Sequence, residues 1–250
     1  MSGRRNHHQD SGLTLAELLV VIAVIGILAA LLLPVLAQSK SRAQQIQCVG
    51  NMHQQCIALQ NFLANNHGYP TPFGGKTTDI PGSWQRQLEV GGFDVSKPAR
   101  NFFEVGVWRC PSARWGAWFH PGDDADYYSY NVYGVEPRGA KWGTEALGLW
   151  AHSSLNGDTP PIGDSEVANP SDMIAIGESF DGGLTLFRAD LSYLESRGFA
   201  SSRHQGKANV VFCDGHVESS KLMFLFEDTS DEALSRWNRD HLPHRERLAP

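Results

Sequence analysis

The sequence predicts an α+β fold in which a long N-terminal helix packs on a mostly antiparallel β-sheet, and three stretches predict it. Leu18 to Ala37 is an uncharged, strongly apolar run; Ile46, Val49, Met52, Cys56, Leu59 and Leu63 recur at steps of three and four; Asp214-Gly215 sits between β-rich segments. The first asks for a helix apolar on every side, the second for a helix with one buried face, and the third for a hairpin.

The apolar run spans roughly 30 Å at about 1.5 Å per residue, the thickness of a bilayer's hydrocarbon core. Leu, Val and Ile surround its whole circumference, whereas a core helix of a soluble domain shows a stripe. Arg4 and Arg5 before it and Val35-Leu36-Ala37 at its end also fit a cleaved secretory signal, but the run exceeds an h-region of about 7–15 residues. Lys40 and Arg42 follow the span as Arg4 and Arg5 precede it, so charge counting alone does not orient it. Glu17 lies at its lip. Thr14-Leu15-Ala16-Glu17 fits a capping box, and a carboxylate favours the positive end of the helix dipole. At mid-membrane depth an acid costs about 2.5–3.5 kcal/mol, a cost that a cationic partner would largely remove.

The helix continues along the second pattern until Asn66-His67-Gly68-Tyr69-Pro70, where glycine permits a left-handed cap and proline blocks continuation. Pro34 predicts a kink. From Thr71 to about Asn169 the chain is rich in Gly, Pro and Trp, which reads as loops and short strands. Trp108, Trp115, Trp118, Trp142 and Trp150 are read as core or loop packing rather than a ligand platform. Asp123, Asp124 and Asp126 lack a complete calcium-loop signature and are read as a solvated acidic turn.

Asp214-Gly215 predicts a two-residue turn. Pairing across it sets Cys213 opposite His216 and Phe212 opposite Val217, with Val210, Phe212 and Val217 on one apolar face. His204, Asp214 and His216 are metal-ligand types and would serve a periplasmic metal-dependent hydrolase. An extended strand would hold His204 and Asp214 some 30 Å apart, however, and no activated nucleophile or phosphate loop accompanies them. A structural role is the stronger reading.

About 180 residues follow residue 66, enough for one packed core. The net charge of −6 and the lack of a basic stripe with interleaved aromatics exclude a nucleic-acid partner. The four cysteines allow three complete pairings. Cys48 and Cys56 stand about 12 Å apart along one helix, too far to bridge. A Cys48–Cys110 bridge would tie helix to loops, and free buried thiols are the other reading.

Gly12-Leu13-Thr14-Leu15-Ala16-Glu17, followed by the apolar helix with Pro34 inside it, resembles the N-terminus of type IV prepilins and type II secretion pseudopilins. The resemblance implies cleavage after Gly12 by a prepilin peptidase, N-methylation of Leu13, and pairing of Glu17 with the N-terminal ammonium of a neighbouring subunit. The family usually has Phe at the first mature position, from which Leu13 departs. His204, nine residues, then Asp214-Gly215 resembles the H-x9-DG motif of a large group of prepilin-like proteins. Cys48–Gln54, Cys110-Pro111-Ser112, Ser129-Tyr130-Asn131 and Arg236–His241 look like further pieces of that group.

The implied fold is pilin-like: a leader (1–12), a transmembrane helix (13–37), its amphipathic continuation (38–66), a globular periplasmic domain (67–226) and a charged C-terminal tail (227–250). The implied function is that of a structural subunit, not an enzyme, of a type IV pilus or type II secretion pseudopilus, with no cofactor and no metal. Its partners would be the prepilin peptidase, other pilin or pseudopilin subunits, the assembly machinery and the membrane. It would reside in the inner membrane as a single-pass protein with its C-terminal domain in the periplasm, or at the cell surface after assembly. A membrane-anchored binding protein that never polymerises is the alternative.

Overall fold

In a computed structural model, residues 15–72, 83–97, 106–113, 127–135, 146–150, 160–180 and 203–248 are described. Helix α1 runs Leu15–Asn66 and stays helical through Pro34. The chain divides into two units, Met1–Ala43 and Gln44–Pro250. In the first, the large apolar side chains from Leu15 to Leu36 are exposed, Leu31 to 68%. Among the described residues α1 is the one helix long and apolar enough to cross a membrane.

The second unit begins with the amphipathic part of α1, and the spacing read from the sequence holds from Met52 onward: Met52, Cys56, Leu59 and Leu63 are buried, joined by Cys48 and Phe62, whereas Val49 is half-buried and Ile46 is exposed, because the buried stripe enters the helix at Cys48. Strands β1 (Tyr128–Tyr130), β2 (Ile174–Glu178), β3 (Lys207–Phe212) and β4 (Val217–Lys221) form one sheet in the order β1-β2-β3-β4, each pair antiparallel. A short helix α2 (Trp84–Gly91) contributes Trp84 and Leu88 to the same core as α1, where Trp84 stacks on Tyr130 at 5.3 Å. Trp108 and Trp150 are buried in that core as well. Trp115, Trp118, Trp142 and the acidic turn Asp123–Asp126 lie outside the described residues.

Both sheet faces are covered, which explains why β2 is buried at all five positions. Ile176 and Val211 face the α1 core; Ile174, Ala208, Val210 and Phe212 face a second cluster. The switch within β2 occurs at a bulge, where Ile174 pairs with Phe212 but Ile176 with Val211. Helices α3 (Leu222–Phe226) and α4 (Asp231–Ser235) build the second cluster through Leu222, Leu225, Phe226, Leu234 and Trp237. The segment expected as a charged tail is therefore a packed layer. Asn238 is fully buried and ties it down, donating to the Leu234 and Leu242 carbonyls and accepting from the Val135 N–H. Asn131 does the same from the other side, donating to the Ile174 and Trp237 carbonyls.

The β3–β4 hairpin exists, but its register is one residue from the expected one. Val211 pairs with Val217, and the Phe212 N–H donates to the His216 carbonyl at 2.9 Å. The loop therefore has three residues, Cys213 to Gly215, closed by the Gly215 N–H on the Phe212 carbonyl. Only Gly215 is left-handed there (φ 103), so the turn is the three-residue form with glycine last rather than the two-residue form. The slip moves Val217 off the face of Val210 and Phe212 and onto the α1 side, beside Val211.

Candidate functional site

Four buried side chains from four segments meet between α1 and the sheet. Cys48 comes from α1, Cys110 from the turn after Gly106–Trp108, Glu178 from the end of β2, and His204 from the turn Arg203–Gln205 before β3. Their ligand atoms all lie within 4.8 Å of one another.

A stripe of polar side chains on α1 places Cys110. Gln44, Asn51 and Gln55, at helical steps around Cys48, donate to the carbonyls of Pro111 (3.1 Å), Arg109 (2.8 Å) and Val107 (2.8 Å). The loop 107–111 is thereby held antiparallel to the helix stripe, and Cys110 Sγ comes to 2.7 Å from Cys48 Sγ. His204 is placed by its backbone. His204, Gln205 and Gly206 are all left-handed (φ 48, 59 and 79), an arrangement that costs of order 1–3 kcal/mol for a non-glycine residue and persists only where the surroundings impose it. It turns the imidazole inward, where Nε2 lies 2.7 Å from Glu178 Oε1 and 3.7 Å from Cys110 Sγ.

Glu178 has no solvent exposure. Its carboxylate also accepts from the Asn209 side chain on Oε1 (3.1 Å) and the Asn209 N–H on Oε2 (3.0 Å). Burial alone would raise its carboxyl, but the His204 hydrogen bond and charge, the Arg203 charge and the Asn209 N–H hold it below the ordinary value. For His204 burial acts downward, and its hydrogen bonds to Cys110 and Glu178 and the Glu178 charge outweigh it, lifting the imidazole to about 9. The two therefore form a buried ion pair at neutral pH. Cys48 is held below its ordinary value chiefly because the Cys110 thiol donates to it, and Cys110 is pushed up chiefly because it is the donor.

Two thiols, an imidazole and a carboxylate are a donor set that suits zinc. The sulfur spacing does not: two thiolates on a tetrahedral zinc stand about 3.8 Å apart, against 2.7 Å here. Glu178 Oε1 is also already taken by His204 and Asn209.

The other sequence-predicted residues are placed elsewhere. Asp214 and His216 pair with each other at 2.7 Å on the exposed hairpin, past the far end of β3 from His204, so the three members of the hydrolase reading are not brought together. Glu17 is exposed in the first turn of α1. Gly12, Leu13 and Thr14 lie outside the described residues. Glu178 was missed by sequence reasoning. Its signal was a lone acid closing the apolar run Met173 to Gly177.

The Prokaryotic N-terminal methylation motif matches residues 7–33. The chain is 27% identical over 143 residues to the type II secretion system core protein G of Klebsiella pneumoniae, covering 57% of this chain and 95% of that one. With the protein of the same name from Vibrio cholerae the identity is 30% over 138 residues, covering 51% of this chain and 84% of the relative. The chain belongs to the core protein G family of type II secretion. As a core protein G relative it also shares 36% identity over 85 residues with a fimbrial protein of Neisseria meningitidis, half of whose length is covered. The family thus accounts for the long helix of the α+β pilin-like fold and for little over half of this chain. No solved structure matches.

Proposed function

We propose that the chain works as a pilin-like structural subunit of a type II secretion pseudopilus or a type IV pilus, made as a membrane precursor, cleaved after Gly12 and methylated on Leu13. The observation that carries this reading is the exposed apolar first half of α1, most of it inside the methylation-motif match at residues 7–33, in a chain whose relatives are secretion core proteins and pilins. Fifteen large apolar side chains from Leu15 to Leu36 are left uncovered, and such a surface needs either lipid or neighbouring copies of the same helix.

In this reading the peptidase works at the cytoplasmic face, the second unit lies in the periplasm, and Glu17 takes the ammonium of a neighbour's Leu13. Methylation leaves that ammonium charged. The relatives are structural proteins, and a non-catalytic role follows them; His204 serves the fold, its Nε2 held by Glu178. Co-expression with a prepilin peptidase tests the reading. N-terminal sequencing should find mature chains starting at Leu13, and Gly12→Val should block that cleavage, since the peptidase needs a backbone unencumbered by a Cβ. Cleavage after Ala37 would overturn it in favour of a secretory signal.

A further inference from the structure

We propose that Cys48 and Cys110 form the disulfide of this protein and that Cys56 and Cys213 stay thiols. All four cysteines are buried, so burial does not choose between the pairings. Three features of the fold do.

The first is contact: Cys48 and Cys110 touch at 2.7 Å. The second is that the contact is held on both sides of the sulfurs. Gln44 and Asn51 flank Cys48 on α1 by one turn each way, and they grip the carbonyls of Pro111 and Arg109, the two neighbours of Cys110. Three amide hydrogen bonds, with Gln55 on Val107 the third, therefore pre-order the loop, so that closing the bond asks for little further movement. The third is that the remaining thiols are engaged elsewhere. Cys56 Sγ donates to the Gly215 carbonyl at 2.6 Å, and Cys213 sits in the hairpin loop. Burial pushes them up to about 11 and about 12, which keeps them protonated and unreactive.

The oxidation is a thiol–disulfide exchange with a small disulfide such as oxidised glutathione. Cys48 Sγ loses its proton and attacks one sulfur of the oxidant, whose S–S bond breaks and releases one thiol. Cys110 Sγ then loses its proton and attacks the Cys48 sulfur, releasing the second thiol. Two cysteines are oxidised by two electrons, and the oxidant is reduced by the same two. Once made, the bond lies under the His204 imidazole and out of solvent, which protects it from reduction. That the bond forms in the cell rests on the periplasmic placement proposed above; that these two cysteines are the pair does not.

Full-length chain extracted in mild detergent tests it, both as isolated and after equilibration in a glutathione redox buffer. The protein is unfolded without reductant, alkylated, weighed intact and peptide-mapped, and its zinc is measured. The expected result is alkylation of Cys56 and Cys213 alone before reduction and of all four cysteines after it, with one cross-linked peptide pair carrying Cys48 and Cys110. Cys110→Ser should leave Cys48 alkylatable and lower the melting midpoint by about 10 °C, because the bridge closes a loop between residues 62 apart. Four free thiols after the glutathione step, a bridge through Cys56 or Cys213, or one zinc per chain retained with four free thiols would each overturn the proposal. A chain reduced as isolated but bridged between Cys48 and Cys110 after the glutathione step would uphold the pair and count against the periplasmic placement.

Discussion

Substituting His204→Ala should be among the most damaging single changes in the second unit. Glu178 Oε1 would lose its partner at 2.7 Å and keep the Asn209 side chain at 3.1 Å, while Oε2 keeps the Asn209 N–H at 3.0 Å. The Arg203 guanidinium cannot replace the imidazole without leaving the Ser179 carbonyl (2.6 Å) and the Phe180 ring (4.7 Å). A carboxylate with no solvent exposure would then be buried without its cation, which costs about 3–5 kcal/mol and for a domain of this size lowers the midpoint by roughly 6–20 °C. The pH dependence separates this from simple loss of packing. In the parent with Cys48 and Cys110 reduced, His204 is raised from 6.5 to about 9, so its contribution, on the order of 3 kcal/mol, is complete below pH 6.5 and is lost as pH rises through 9. Glu178 is lowered from 4.5, so its contribution is present above pH 4.5 and is lost as pH falls through its folded value. The gap between variant and parent should be widest between about pH 5 and 6.5 and shrink toward pH 10. Tryptophan-fluorescence denaturant melts of the detergent-solubilised chain in reductant at several pH values measure both quantities. A cost under 1 kcal/mol, or a gap that is the same at pH 6 and pH 10, would refute the ion pair.

Phe212→Ala should destabilise the chain by about 3–5 kcal/mol in the same melts, because the ring is fully buried, stacked on His216 at 4.3 Å and capped by Arg236 at 5.5 Å; an unchanged midpoint would place it outside the core. Glu17→Gln should leave membrane insertion and cleavage intact but abolish incorporation into filaments, because the amide can still cap the helix and cannot neutralise a neighbour's ammonium. Normal incorporation, measured beside the parent in cells with an assembly machinery, would reduce Glu17 to a helix cap.

The parts of the fold that repeat were legible in the sequence. The spacing from Met52 to Leu63 encodes one face of α1 because packing on a sheet demands that period, while Ile46 and Val49 fall off that face, and Val210 and Phe212 encode one of the two buried sides of β3. The hairpin was legible but its register was not, since Asp214-Gly215 suits both a two- and a three-residue loop and the choice lies in whether one or both turn residues become left-handed. The candidate site was half legible. Cys48 and Cys110 could be paired as helix to loop, but no local pattern tells that Gln44, Asn51 and Gln55 aim three amides at one stretch of backbone 52 to 67 residues away. Glu178 could not be tied to His204 at all, because strand order, not spacing, makes β2 the neighbour of β3. The C-terminal segment was misjudged on composition. Leu234, Trp237 and Asn238 pack it, and two of its charges, Arg236 and Arg239, are engaged by Glu218, Asp172 and the carbonyls of Ala146 and Gly148 rather than by solvent.

The last strand of the sheet has a meaning for life in a crowd. Copies assembled side by side bring their domains to very high local concentration, where an open strand rim invites cross-pairing between molecules and growth of a fibrillar aggregate. β4, one of the two rim strands among the described residues, reads Val217-Glu218-Ser219-Ser220-Lys221. It is short, has one large apolar residue, and carries one charge on each face, with the half-buried Glu218 fastened to Arg236 at 3.1 Å and Lys221 exposed. A neighbour's identical rim in parallel register would set Glu218 against Glu218 and Lys221 against Lys221, so fusion of sheets through β4 is discouraged.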